Sequence, residues 1–207
     1  MSAKDLVQII DDDDALRDSL TFLLSSAGIE AKSYESAGAY LDDPQRGAAG
    51  CIITDVRMPG MSGIDLLRKL KSDGVSLPVI VMTGHGDVPL AVEAMKLGAF
   101  DFIEKPFDDD ALLASVRGAL GAQEKHTRQE SQRQEIDSRL TQLSTRERQV
   151  LDGLVAGQAN KVIAYELGIS PRTVEIYRAN VMTKMQANSL SDLVRMALVT
   201  GTLKGEA

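Results

Sequence analysis

Cys51-Ile52-Ile53-Thr54-Asp55-Val56-Arg57-Met58-Pro59-Gly60 is a short β-branched run that ends on an aspartate and breaks into a Pro-Gly turn. A run this short and apolar reads as a strand buried on both faces. Open α/β sheets place their chemistry at the carboxyl ends of such strands, where Asp55 falls. Two other strand-like runs end in the same way. Leu6-Val7-Gln8-Ile9-Ile10 opens onto Asp11-Asp12-Asp13-Asp14, and Asp101-Phe102-Ile103-Glu104 onto Lys105-Pro106-Phe107. The expectation is one pocket to which three strand ends bring carboxylates and an ammonium.

Working outward, five runs (Leu6 to Ile10, Ala31 to Tyr34, Cys51 to Thr54, Val79 to Met82, Asp101 to Ile103) alternate with helical patterns. Examples are Leu16, Leu20, Leu23, Leu24 and Leu112, Val116, Leu120. Fivefold strand–helix alternation predicts an α/β fold: a parallel sheet covered on both faces, in the flavodoxin-like order 2-1-3-4-5. Ala122 to Gln142 is rich in Gln, Glu and Arg and has no Gly, Pro or aromatic residue. It reads as a helical connection, with a solvated, disordered spacer as the alternative. Beyond it the chain reads as all-α. Thr145 to Ala156, Lys161 to Leu167, Pro171 to Met185 and Ser191 to Leu198 carry apolar residues at helical spacing, a four-helix bundle. Between the second and third helices, Gly168 suits a tight turn, Ser170 an N-cap and Pro171 the first helical position, which is a helix-turn-helix pattern.

Three carboxylates at close quarters repel by roughly 4 kcal/mol per pair at an effective dielectric near 20. Such a site calls for a cation, and hard oxygen ligands with open positions suit Mg²⁺. Asp55 is then the nucleophile toward a phosphoryl donor, with the metal and Lys105 neutralising the transferring group. Asp13 and Asp14 have a simpler use as cap and first-turn acid of the first helix.

Charge divides the chain. Residues 1 to 122 hold 11 Lys+Arg against 20 Asp+Glu, a net of −9, and residues 123 to 207 hold 12 against 10, a net of +2. The halves should have different partners. No apolar run approaches 18 residues, and Met1 to Asp5 lacks signal-peptide character. The expectation is a soluble, cytoplasmic protein that does not engage membranes. The single cysteine, Cys51, lies within an apolar run and reads as a small core residue. His85 reads as a loop histidine near the pocket, and His126 as exposed.

Asp11 and Asp12, Asp55 with Arg57-Met58-Pro59, Thr83-Gly84, and Lys105-Pro106-Phe107 resemble, in order and spacing, the receiver domain of two-component response regulators over residues 3–122. Within that family the chain is similar to a branch that activates nitrogen-fixation genes. The resemblance implies phosphorylation of Asp55, Mg²⁺ held by Asp11, Asp12, Asp55 and the Arg57 carbonyl, a switch pair Thr83 and Phe102, and Lys105 on the phosphate. Family members often carry tyrosine where this chain has Phe102. The implied partners are a sensor histidine kinase (FixL-like, oxygen-sensing), promoter DNA, RNA polymerase and, on phosphorylation, a second copy of the chain. Receiver pairing would use the fourth helix and fifth strand around Val88, Val92, Lys96 and Asp101.

After a linker at 123–142, residues 140–205 resemble the LuxR-type DNA-binding domain. The resemblance rests on Leu143 to Arg148, Val150-Leu151, Asn160-Lys161, Ile163-Ala164, Leu167 to Ser170, Thr173 to Glu175 and Lys184-Met185. Tyr177 stands where many relatives have histidine. The family places the Pro171 to Met185 helix in the major groove. Val174, Val181 and Met185 then face inward. Arg172, Thr173, Glu175, Ile176, Ala179 and Asn180 become candidates for base edges, and Lys161, Arg178 and Lys184 for phosphates. A different class of function uses a similar sheet: a Mg²⁺-dependent phosphatase with an aspartyl-phosphate intermediate. Such an enzyme would need a second aspartate two residues after the nucleophile, where this chain has Arg57. The reading is therefore a switch rather than an enzyme.

Overall fold

The computed structural model describes residues 6–47, 50–84 and 88–201. The chain forms two compact units, one up to His126 and the other from Thr127.

In the first unit, strands β1 (Leu6–Ile10), β2 (Glu30–Tyr34), β3 (Cys51–Asp55), β4 (Val79–Thr83) and β5 (Asp101–Glu104) alternate with helices α1 (Asp14–Ser26), α2 (Ala37–Asp42), α3 (Gly63–Ser72) and α4 (Val88–Lys96), and α5 (Asp109–Thr141) follows. The sheet is parallel in the order β2-β1-β3-β4-β5, as the alternation predicts. Side chains alternate across a strand, so neighbouring residues serve different cores. Ile52 packs with Leu66, Leu67 and Leu70 of α3, whereas Cys51 and Ile53 pack with Leu20 and Leu24 of α1 and Leu112 and Val116 of α5. Cys51 is fully buried, and burial pushes its thiol up to about 12. Asp13 caps α1 by accepting the amides of Ala15 and Leu16, while Asp14 opens the first turn.

Helix α5 serves both units. Leu112, Val116 and Ala119 belong to the sheet's core, whereas Ile136 and Leu140 belong to the second. Residues 122–141 are thus helical, although Glu124 to Glu135 present only exposed polar residues.

The second unit adds α6 (Thr145–Val155), α7 (Asn160–Leu167), α8 (Pro171–Met185) and α9 (Leu190–Thr200). Its core gathers Val150, Leu151, Leu154, Ile163, Ala164, Val174, Val181, Met185 and Leu193. The turn between α7 and α8 has the anticipated chemistry. Gly168 adopts φ +67°, Ser170 accepts the Thr173 amide, and Pro171 opens α8. No described helix is long and apolar enough to cross a membrane.

Candidate functional site

Strand register brings the first site together. In the parallel pairing of β1 with β3, Ile10 lies level with Thr54, so one step further Asp11 lies level with Asp55. Lys105 follows β5, where its amide donates to the Thr83 carbonyl at 2.7 Å. Its ammonium bridges the two carboxylates, 2.9 Å from Asp11 Oδ2 and 2.5 Å from Asp55 Oδ1. Asp55 also accepts the Arg57 amide at 2.5 Å, and Asp11 accepts the Asp13 amide at 2.9 Å.

Asp11 is 1% exposed and Asp55 8%. Burial pushes the Asp55 carboxyl above its usual range, and it outweighs the opposing pull of the Lys105 hydrogen bond and charge. Burial alone would lower the Lys105 ammonium, but its hydrogen bonds to Asp55 and Asp11 overcome this and raise it. Two carboxylates and one ammonium leave the trio one negative charge in excess, in surroundings that disfavour bare charge.

The convergence is narrower than the sequence suggests. Asp12, at a bend just past β1, and Glu104, at the end of β5, are exposed. Among the described residues, no three His, Cys, Asp or Glu side chains gather closely enough to hold a metal. Mg²⁺ commonly takes one or two protein carboxylates and completes its shell with water and phosphate, so a hard-oxygen pair with surplus negative charge still fits it.

Thr83 ends β4 and is 3% exposed. Phe102 lies elsewhere: it is 45% exposed and lines a shallow apolar groove of about 390 Å³ with Ala91, Val92, Met95 and Lys96 of α4. Asp101 beside it is committed to the Phe102 amide and, at 2.7 Å, to the Ser115 hydroxyl of α5. His85 falls outside the described residues, as does the side chain of Val88.

On α8 the inward and outward faces are those the spacing predicts. Val174, Val181 and Met185 are buried, while Arg172, Glu175, Ile176, Ala179 and Asn180 are exposed. Thr173 is half-buried, with its hydroxyl 2.8 Å from Ser170 Oγ. Lys161 and Arg178 line one open cleft of about 450 Å³ with Gln158 and Asn160, so the two cations face a common space.

Lys184 is engaged within its own unit. Its ammonium is 2.6 Å from the buried Glu147 carboxylate and donates to the Gln142 carbonyl at 3.2 Å. Glu147 closes the capping box of α6 with Ser144, accepting the Ser144 amide at 2.8 Å. The Ser-x-x-Glu spacing at Ser144 and Glu147 was the sequence signal for this arrangement. Lys184 thus ties the recognition-type helix to the start of α6. Arg139 of α5 makes a similar tie, donating to the Met185 carbonyl at 3.1 Å.

An aspartate–lysine pocket at the carboxyl end of a parallel sheet, followed by a helix-turn-helix unit, defines a class. Residues 7–117 match the response regulator receiver domain, and residues 141–197 match the bacterial regulatory proteins of the luxR family. The chain belongs to the two-component response regulators with a LuxR-type DNA-binding domain. Within that class it is 63% identical over 195 residues to the transcriptional regulatory protein FixJ of Azorhizobium caulinodans, covering 94% of this chain and 92% of that one. Full-length FixJ from B. japonicum is 55% identical, covering 98% of this chain and all of that one, with a TM-score of 0.61. The response regulator StyR is 37% identical, covers 93% and 98%, and gives a TM-score of 0.83. The chain is a response regulator of the FixJ type, with a sensor kinase and DNA as its classes of partner.

Proposed function

We propose that Asp55 accepts a phosphoryl group from the phosphohistidine of a sensor kinase, and that the event drives pairing of the chain and binding of α8 to promoter DNA. The observation that carries this reading is Lys105 held between Asp11 and Asp55. An Asp55 carboxylate oxygen attacks phosphorus and the P–N bond to the kinase histidine breaks with its electron pair going to the ring nitrogen; with the other ring nitrogen protonated, the histidine leaves as neutral imidazole. Lys105 is already within hydrogen-bond reach of the attacking carboxylate and supplies positive charge beside the incoming phosphoryl oxygens. Burial disfavours the ionised Asp55, and a cation in the pocket would favour it.

Asp11, Asp12, Asp55 and the Arg57 carbonyl are the residues that would hold Mg²⁺. The ion, when bound, neutralises charge on the transferring group. In this reading Thr83, buried at the end of β4 where its carbonyl accepts the Lys105 amide, donates its hydroxyl to the phosphoryl group. The groove formed by α4 and Phe102 then serves as the face on which two receivers pair. In the second unit, Arg172, Thr173, Glu175, Ile176, Ala179 and Asn180 read base edges, while Lys161 and Arg178 hold phosphates. RNA polymerase is the downstream partner, a FixL-like kinase the donor and nitrogen-fixation genes the target. The phosphatase alternative is set aside, because both domain matches are to regulators.

Labelling with acetyl phosphate tests the core of the reading. Wild type should form an acid-stable, base-labile acyl phosphate, and Asp55→Asn, whose amide is a poor nucleophile, should form none. Undiminished label on the folded variant would refute Asp55 as the acceptor.

A further inference from the structure

Gly63 opens α3 and is buried. A Cβ placed there would lie 2.1 Å from the Asp55 carbonyl oxygen, 3.0 Å from the Asp55 carbonyl carbon and 3.1 Å from Thr54 Oγ1. The two nearest are backbone atoms of a strand paired on both sides, by β1 and by β4. They have little room to yield.

The requirement at Gly63 is steric rather than conformational. Its φ is not among the positive values, whereas Gly60 in the same loop has φ +81° and open space around its Cβ position. The Gly63 amide also donates to the Val56 carbonyl at 3.0 Å, which closes the loop that carries Arg57. From the helix side, Ser62 Oγ accepts the Asp65 amide at 3.1 Å and donates to the Asp65 carboxylate at 2.6 Å, seating the first turn.

We infer that Gly63 is a positioning residue for phosphoryl acceptance: its missing side chain lets α3 rest directly on the Asp55 peptide group and fixes the Asp55 carboxylate against Asp11 and Lys105. The inference rests on Asp55 being the acceptor. An added methyl group must separate α3 from the strand by about 0.9 Å before the contact reaches 3.0 Å, the shortest distance such atoms tolerate. That displacement is large against a 2.5 Å contact between Lys105 and Asp55. Misplacement of about 1 Å in a reacting group can cost on the order of a hundredfold in rate.

The test compares full-length wild type, Asp55→Asn, Gly63→Ala and Ser62→Ala. Acyl phosphate formation from acetyl phosphate is measured per folded molecule, and Mg²⁺ binding is measured by titration calorimetry without phosphoryl donor. If wild type is not labelled at Asp55, the acceptor reading fails, and this inference fails with it for that separate reason. If wild type is labelled, Gly63→Ala should react roughly tenfold to a hundredfold more slowly and bind Mg²⁺ more weakly. A merely structural glycine would lower the melting temperature yet leave both the rate per folded molecule and the Mg²⁺ affinity at wild-type values, and that result overturns the inference. Should Gly63→Ala not fold, Ser62→Ala decides. Unseating the first turn of α3 should slow labelling per folded molecule, and a wild-type rate overturns the inference.

Discussion

Replacing Lys184 by methionine keeps most of the apolar stem and removes the ammonium that Glu147 holds. The Lys184 hydrogen bond, followed by the Ser144 amide, lowers the Glu147 carboxyl from 4.5 to about 2. At about 1.36 kcal/mol per pKa unit that displacement has a ceiling near 3 kcal/mol. The Lys184 side chain is 38% exposed, so solvent screens the pair, and part of the shift belongs to Ser144. The expected loss in the second unit at pH 7 is therefore about 1–2 kcal/mol. Native-state hydrogen exchange of the full chain reads this directly. Amides of α6 and α8 that exchange through unfolding should do so roughly five to thirty times faster, while amides of the sheet stay unchanged.

The pH dependence has a definite sign. A carboxyl depressed in the folded state stabilises fully above its unfolded pKa, near 4.5, and the contribution disappears as pH falls toward about 2. Wild type should lose this increment across that window, and Lys184→Met should lose much less of it. DNA binding supplies the opposing outcome. A salt slope smaller by about one in Lys184→Met, with α6 exchange unchanged, would mean that Lys184 contacts a phosphate and does not stabilise the α6–α8 tie.

Three further outcomes are expected. Thr83→Ala should still accept phosphate but give a smaller dimer fraction in sedimentation of the phosphorylated chain, because the contact that biases the switch is gone; equal fractions would break the link. Lys161→Ala should weaken DNA binding evenly across sequences and reduce the salt slope by about one, whereas Arg172→Ala should cost about 1–3 kcal/mol and alter base preference, both read by fluorescence anisotropy at several salt concentrations. Gly153→Ala should destabilise the second unit by about 1–3 kcal/mol in denaturant unfolding, since its Cβ would sit 2.8 Å from both Gln158 Oε1 and Ile163 Cγ1; a neutral result would show that α6 and α7 can separate freely.

Features that depend on neighbours in the chain were legible in the sequence. The β-branched runs alternating with helical patterns gave the parallel α/β sheet, and the aspartate closing the third run put Asp55 at a strand end. Gly168, Ser170 and Pro171 gave the helix-turn-helix, because turn, cap and first-turn preferences act within a few residues. The faces of α8 followed from its 3.6-residue period. Contacts across the chain were decided by the tertiary structure alone. Lys105 meets Asp55 from 50 residues away and Asp11 from 94, and only strand register makes those three side chains level. Asp11 and Asp12 are equivalent as letters, yet the chain's exit from β1 buries one and exposes the other. From its place on α8 alone Lys184 reads as a groove cation; its pairing with Glu147, 37 residues earlier, exists only because α6 and α8 pack together. Gly63 carried no signal beyond being a glycine near a turn. Its importance exists only because folding lays α3 on the Asp55 backbone, where excluded volume, which no local pattern encodes, decides what fits.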